Sequence, residues 1–279
     1  MQILDGKVTA KKIRQDLKQK IAELTKKPGL AVVIVGDNKA SEQYVNMKKK
    51  ACENTGIVSF SHVLGQKTTQ NELIKLIDKL NNDDSVDGIL VQLPLPEHIN
   101  EDLILERIFP SKDVDGFHPV NVGKLLQNKP CFKSCTPFGI IKLLEEYNIE
   151  ISGKRVAVLG RSNIVGKPMA IMLIHKNATV TVCHSKTTNI KEICRNSDII
   201  ISAIGKANFV KEDMVKEKAV IVDVGTNFIN GKLCGDVDFE NVINKVSYIT
   251  PVPGGVGPMT IATLLYNTYE AYKINKGCV

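Results

Sequence analysis

Tryptophan is absent from the 279 residues, and aromatic residues make up only 5% of them. Stacking platforms for single-stranded nucleic acid depend on such rings, so the composition argues against that class of function. No C-x-x-C pair occurs, and the cysteines are odd in number: Cys52, Cys131, Cys135, Cys183, Cys194, Cys234 and Cys278. This suits neither a disulfide framework nor a zinc cluster, and points to a reducing cytoplasm and no metal. Met1-Gln2-Ile3-Leu4-Asp5-Gly6 lacks the charged-then-apolar layout of a signal peptide. No apolar run approaches the ~20 residues needed to span a bilayer. Repeats, low-complexity tracts and long single-sign charge blocks are missing as well. The net charge of +7 is spread along the chain, which gives a solvated surface and also favours an anionic ligand.

What remains is an ordinary globular composition, 43% hydrophobic and 24% charged, long enough for one large or two modest domains. Val8, Ile13, Leu17, Ile21 and Leu24 fall at helical spacing and predict a helix over 7–25, broken by Pro28-Gly29. Leu30–Val35 is a continuous apolar run, the mark of a buried parallel strand. A helix over 40–55, a strand over 57–64, a helix around Leu73, Ile77 and Leu80, and a strand over 88–92 follow. Residues 97–135 read as turns and short helices. Thr136-Pro137 signals a helix start, with the helix running to about 147. Strands are then expected at 155–159, 178–183, 198–203 and 219–224, a glycine-proline loop at 250–258, and a closing helix. Strands alternating with helices predict an α/β fold of two domains flanking a cleft, the second a Rossmann-like parallel sheet. The expected division is 1–136, completed by the helix 259–279, and 137–258.

Arg155–Pro168 is the stretch around which the second domain is organised. It reads as a buried strand, a glycine turn and a helix start, and a helix N-terminus attracts phosphate. Gly160 and Gly166 allow close backbone approach. The spacing departs from G-x-G-x-x-G: Ser162 replaces the middle glycine and the last arrives one residue late. An ordinary tight turn between strand and helix fits the same residues. About twenty residues on, an NAD site carries an acid for the ribose hydroxyls. This chain has His184-Ser185-Lys186-Thr187 there. Hydroxyls and cations, with Arg161 nearby, suit a 2′-phosphate and lean toward NADP.

Other candidates have plain readings when taken singly. Tyr44 and Lys48 share a helix face, but Lys48-Lys49-Lys50 resembles a solvated run and Tyr44 suits packing. Gln92 suits a strand-end cap, and Asp113 and Asp115 suit turns. In combination they are less ordinary. Tyr44-Val45-x-x-Lys48, Val91-Gln92-Leu93-Pro94-Leu95-Pro96, Lys112-Asp113-Val114-Asp115-Gly116, Gly160-Arg161-Ser162-x-x-Val165-Gly166-x-Pro168 and Pro251-Val252-Pro253-Gly254-Gly255-Val256-Gly257-Pro258-Met259-Thr260 occur in that order. Across essentially its whole length the chain resembles the bifunctional methylenetetrahydrofolate dehydrogenase/methenyltetrahydrofolate cyclohydrolase family.

The resemblance implies oxidation of 5,10-methylenetetrahydrofolate with NADP⁺ and hydrolysis of the methenyl product to 10-formyltetrahydrofolate. These are steps of one-carbon metabolism that serve purine biosynthesis. It implies catalytic roles for Lys48, Gln92, Asp115 and Tyr44: Asp115 accepting from the pterin edge, Tyr44 stacking on the ring, Lys48 moving protons and Gln92 holding its amine. Gln92, Leu93, Gly254 and Gly255 join Tyr44 and Asp115 in contacting the folate. For NADP it implies Gly160, Arg161, Ser162, Val165, Gly166, Ser185 and Thr226, although many relatives carry an aliphatic residue at the Thr226 position. It also implies a homodimer, which nothing in the spacing demonstrates. The alternatives are a dehydrogenase for another small substrate, a dehydrogenase that has lost the hydrolase, and a catalytically silent NADP-binding sensor.

Overall fold

The computed structural model describes residues 1–36, 39–229 and 231–277; side chains of residues 39–44 lie outside that description. The chain begins with a short strand, β1 (Gln2–Ile3), and helix α1 (Gly6–Ala22). Then come β2 (Gly29–Val35), α2 (Lys39–Thr55), β3 (Val58–Leu64), α3 (Gln70–Asn81) and β4 (Gly88–Val91). Two short helices, α4 (Glu101–Arg107) and α5 (Pro119–Leu126), precede α6 (Cys135–Glu146). The rest alternates through β5 (Arg155–Leu159), α7 (Gly166–His175), β6 (Thr179–Cys183), α8 (Ile190–Arg195), β7 (Ile199–Ser202) and β8 (Val220–Asp223). A hairpin of β9 (Asn227–Ile229) and β10 (Lys232–Cys234) leads to α9 (Phe239–Val242), β11 (Tyr248–Ile249) and the last helix, α10 (Val256–Asn275). None of the described helices is long and apolar enough to cross a membrane.

Two compact units result: residues 12–135 with 261–279, and residues 136–260 with 1–11. The first eleven residues thus fall with the second unit, where the sequence reading had them in the first. The cause is pairing: β1 lies parallel to β11 at the edge of the second unit's sheet. Both are two-residue strands, too short to leave a periodic signal. The β9–β10 hairpin was likewise not expected.

The first unit holds a parallel sheet in the order β3-β2-β4. Every residue of β2 is buried, as its unbroken apolar run requires of a central strand covered on both faces. Leu17 and Ile21 of α1, Cys52 of α2, and Leu264 and Leu265 of α10 pack into one core with Leu30, Val32 and Ile34. Leu73 and Ile77 of α3 join Val33, Ile89 and Val91 in another. Each such fully buried side chain contributes ~1.5–3 kcal/mol. Thr69 and Glu72 close a capping box at the start of α3.

The second unit holds a six-stranded parallel sheet, β1-β11-β8-β7-β5-β6. From β5 the chain steps outward to β6, then returns to the opposite side of β5 for β7. Open α/β sheets bind ligands at the carboxyl ends of strands that flank such a reversal. The expected loop at 250–258 is shorter than its composition suggests, because α10 starts at Val256 and takes Gly257 and Pro258 into its first turn. Proline is tolerated there, where no intrahelical N–H bond is lost.

Candidate active site

In the first unit, Lys48 projects from α2 and Gln92 follows directly on β4. The Gln92 N–H donates to Val33 O at 2.8 Å, extending the pairing with β2. Its Nε2 donates to Leu93 O at 2.8 Å. That leaves Oε1 to accept from Lys48 Nζ at 2.9 Å. Lys48 is half-buried while Lys49 and Lys50 are exposed. Loss of hydration pushes its pKa below the ordinary lysine value, with the Asp115 charge pulling the other way. Leu93 precedes Pro94 through a cis peptide bond and is half-buried beside Gln92.

Asp115 sits on a loop that the protein grips from several sides. Ile89 N donates to Lys112 O at 2.7 Å, tying the loop to β4. Lys112 Nζ donates to Leu80 O at 3.0 Å and Asp83 O at 2.8 Å. Asp113 is buried, and its carboxylate accepts from Gly116 N, Phe117 N and His118 N at 3.1, 3.1 and 2.9 Å and from Asn121 Nδ2 at 2.8 Å. Gly116 adopts a φ of +72°. Val114 O accepts from Asn267 Nδ2 of α10 at 2.8 Å and from Cys135 Sγ at 3.2 Å. Asp115 itself is half-buried. Desolvation pushes its pKa up to about 6, against the opposing pull of Lys48. Burial likewise drives the Cys135 thiol well above its usual range, so it stays protonated beside Asp115.

Lys48, Gln92 and Asp115 therefore converge in one unit. Tyr44 lies on the same helix, but its side chain is outside the described residues. Sequence reasoning missed three supporting residues: Asp113 beyond its turn, Cys135 and Asn267. For Lys48 a signal was present. Buried Val45 and Cys52 lie three residues before it and four after it, so Lys48 stands over an apolar stripe and not on the solvated face.

In the second unit, the glycine turn follows β5. Gly160 has a φ of +113°, and a Cβ there would collide with the carbonyl oxygen of Ala203, just past β7. A Cβ at Gly166 would collide with the Gly160 carbonyl. Gly166 thus permits α7 to start tight against the turn, the close-packing role of the last glycine in dinucleotide motifs. Ser162 Oγ accepts from Val165 N at 3.2 Å and Gly166 N at 3.3 Å. Two orphan donors of the helix start are satisfied that way, and the hydroxyl keeps its own proton to donate. Arg161, Ser185 and Lys186 are exposed. Ser185 is held in a turn after β6 in which Thr187 Oγ1 accepts from His184 N at 2.8 Å. Thr226 is exposed between buried Gly225 and β9.

Gly254 and Gly255 are both buried. Their backbone packs closely against the start of the chain within the same unit. Lys7 N donates to Gly254 O at 3.2 Å, and Gly6 lies so near Gly255 that a Cβ on it would overlap the Gly255 carbonyl. Gly254, with a φ of +114°, makes the bend.

The model of the tetrahydrofolate dehydrogenase/cyclohydrolase catalytic domain matches residues 4–115. That of the same family's NAD(P)-binding domain matches residues 134–276. The chain belongs to the tetrahydrofolate dehydrogenase/cyclohydrolase family. The bifunctional protein FolD of Campylobacter hominis is 58% identical over 277 residues, covering 98% of each chain. The crystal structure of the bifunctional enzyme FolD from Campylobacter jejuni is 55% identical, covers 98% of this chain and 99% of its own, and superposes with a TM-score of 0.97. The dehydrogenase-cyclohydrolase of Trypanosoma brucei, solved with NADP cofactor and inhibitor, is 40% identical over 98% of this chain and 97% of its own, at a TM-score of 0.94. Membership in this dehydrogenase/cyclohydrolase family accounts for a fold with separate catalytic and nucleotide-binding units.

Proposed function

We propose that this chain oxidises 5,10-methylenetetrahydrofolate with NADP⁺ and hydrolyses the resulting methenyl cation to 10-formyltetrahydrofolate, through the residues named above. The observation that carries the residue-level reading is the Lys48–Gln92 hydrogen bond beside a half-buried Asp115. A dehydrogenase acting on an unrelated small substrate has no need of this trio.

The dinucleotide suits the second unit. The Gly160–Gly166 turn excludes side chains from its centre, and Ser162, Arg161 and Ser185 supply hydroxyl and cationic donors that match phosphate. Gly160, Ser162, Val165 and Gly166 would hold the pyrophosphate, Arg161 and Ser185 the 2′-phosphate, and Thr226 the nicotinamide end. When bound, NADP⁺ accepts the hydride. The protein's task in that step is placement, which Asp115 serves by accepting two N–H bonds from the pterin edge.

Hydrolysis asks more of the side chains. A neutral Lys48 amine takes a proton from the attacking water as oxygen bonds to the methenyl carbon. The ammonium so formed returns a proton to the ring nitrogen as its bond to that carbon breaks, while the hydroxyl now on that carbon releases its proton to water, leaving the formyl group on the other nitrogen. Burial keeps the neutral amine accessible. Gln92 Oε1 takes one N–H of Lys48, which orients the lone pair. Tyr44 stacks on the pterin, and Leu93 shapes its surroundings.

Arg161→Ala tests the cofactor assignment. The KM for NADP⁺ is expected to rise about tenfold, the worth of one charge-assisted contact, with little change for NAD⁺. Equal effects on both nucleotides contradict a 2′-phosphate contact.

A homodimer is also proposed. β3 is an edge strand of its sheet, with Val58 45% and Val63 68% exposed. An apolar unpaired edge of this kind is stabilised by covering it. Light scattering coupled to gel filtration should give twice the chain mass; a monomer at micromolar concentration contradicts the proposal. The six described cysteines are free thiols, which suits a reducing cytoplasm.

A further inference from the structure

Asp236 is completely buried, and no step above uses it. Its carboxylate gathers donors from three segments at the carboxyl end of the second unit's sheet. Oδ2 accepts from Ser202 Oγ at 3.1 Å, Ile204 N at 2.9 Å and Gly205 N at 3.2 Å. Oδ1 accepts from Lys206 N at 2.9 Å and Asn227 Nδ2 at 2.9 Å. Thus the end of β7, the loop after it and the start of β9 are drawn to one anion.

A second buried acid, Asp223 at the end of β8, holds Asp236 in turn. It accepts from Asp236 N and Val237 N at 2.9 Å each, and from Gly225 N at 2.9 Å. Only glycine fits at 225 and 235, because a Cβ at either would overlap one of the two carboxylates. Burial pushes the Asp223 pKa up to about 6, and the Asp236 charge adds to that rise. Two acids placed together in an interior are costly for stability alone, where apolar side chains of similar volume serve as well.

Their position supplies a reason. Ala203, one residue before the gripped loop, presses its carbonyl against Gly160 of the dinucleotide turn. Ala203 N donates to Leu159 O at 2.8 Å. The loop held by Asp236 therefore lies at the β5–β7 reversal, the place where such sheets receive a ligand. Thr226 sits between Gly225, held by Asp223, and Asn227, held by Asp236.

We propose that Asp236 is a positioning residue for the oxidation step, setting the 203–206 loop and Thr226 in the form that receives the dinucleotide, with Asp223 as its anchor. This rests on the reading of the 160–166 turn as the dinucleotide site. Asp236 touches neither substrate nor cofactor; it acts through the backbone it holds. Hydrolysis needs no nucleotide and is carried by the other unit, so the two activities separate a positioning role from a general structural one.

The test is Asp236→Asn in the full chain. Asparagine keeps the shape and one acceptor, but turns an N–H₂ toward the Ile204 and Gly205 N–H groups. The KM for NADP⁺ is expected to rise at least about tenfold. The folate KM and nucleotide-free hydrolysis of the methenyl substrate should stay within about twofold. An unchanged KM for NADP⁺, or an equal fall of both activities in folded protein, overturns the proposal. Should Asp236→Asn fail to fold, Asn227→Ala removes a single donor; about a threefold rise in the KM for NADP⁺ is expected, and no rise overturns the proposal. Arg161→Ala is measured alongside. If it responds and Asp236→Asn does not, the positioning role fails while the cofactor site stands. If neither responds, the cofactor site itself is misassigned and the positioning role falls with it.

Discussion

Lys48→Met is expected to lower hydrolysis of the methenyl substrate by ~10²–10⁴-fold, the usual worth of a positioned general base. Methionine conserves the length and apolar stem of lysine, so packing beside Val45 and Cys52 survives. What is lost is the lone pair and the partner of Gln92 Oε1. Oxidation requires no proton transfer at the reacting carbon, so it should persist at a substantial fraction of the original rate. The split between activities is the informative readout. Full hydrolysis in a Lys48→Met enzyme that binds folate normally refutes the assignment. In the unmodified enzyme the base form governs pH dependence. Burial lowers the Lys48 pKa from its ordinary 10.5, so the rise of hydrolysis with pH should level off below the pH at which an exposed lysine deprotonates.

Asp115→Asn should weaken both reactions together, because both begin with a seated pterin. An ionised carboxylate accepts two N–H bonds, each worth about 1.5–3 kcal/mol when charge-assisted. The amide offers one oxygen and presents a donor where the other stood. A rise of about a hundredfold in the folate KM follows from losing one such bond and opposing its donor. The pH dependence has a definite sign. The folded carboxyl titrates near pH 6, so it is ionised at pH 7.5 and becomes protonated as pH falls through 6. Folate KM in the unmodified enzyme should therefore climb below pH 6 and be flat above it. Asp115→Asn should abolish that dependence. The substitution also removes the anion that raises the Lys48 pKa, which moves the remaining hydrolysis profile to lower pH. A flat folate KM from pH 5 to 8 in the unmodified enzyme contradicts the role given to Asp115.

Some features were legible in the residues and others were not, for physical reasons. β2, and β5 after Arg155, are unbroken apolar runs, and such a run between turn signals has few other uses than a central parallel strand. The glycine turn was legible because only glycine accommodates a φ such as that of Gly160. β1 and β11 were not, since two-residue strands carry no period and owe their existence to pairing across some 245 residues, Gln2 with Tyr248. Local spacing misjudged Lys48: three consecutive lysines look solvated until the helix face is traced through Val45 and Cys52. Asp113 showed its turn but not its grip on Asn121 and His118. Asp236 offered no signal, because its partners lie up to 34 residues away in sequence. Asn267 was similarly hidden, bonding to Val114 from the far end of the chain.

The most direct test follows 5,10-methylenetetrahydrofolate through the purified enzyme with NADP⁺ and, separately, NAD⁺, resolving the methenyl and 10-formyl products. NADP⁺ should be reduced in preference to NAD⁺, with 10-formyl product appearing faster than the methenyl compound hydrolyses by itself. Reduction with methenyl product accumulating would leave a dehydrogenase without its hydrolase and contradict the role of Lys48. Failure of folded, folate-binding protein to reduce either nucleotide would contradict the enzymatic reading as a whole.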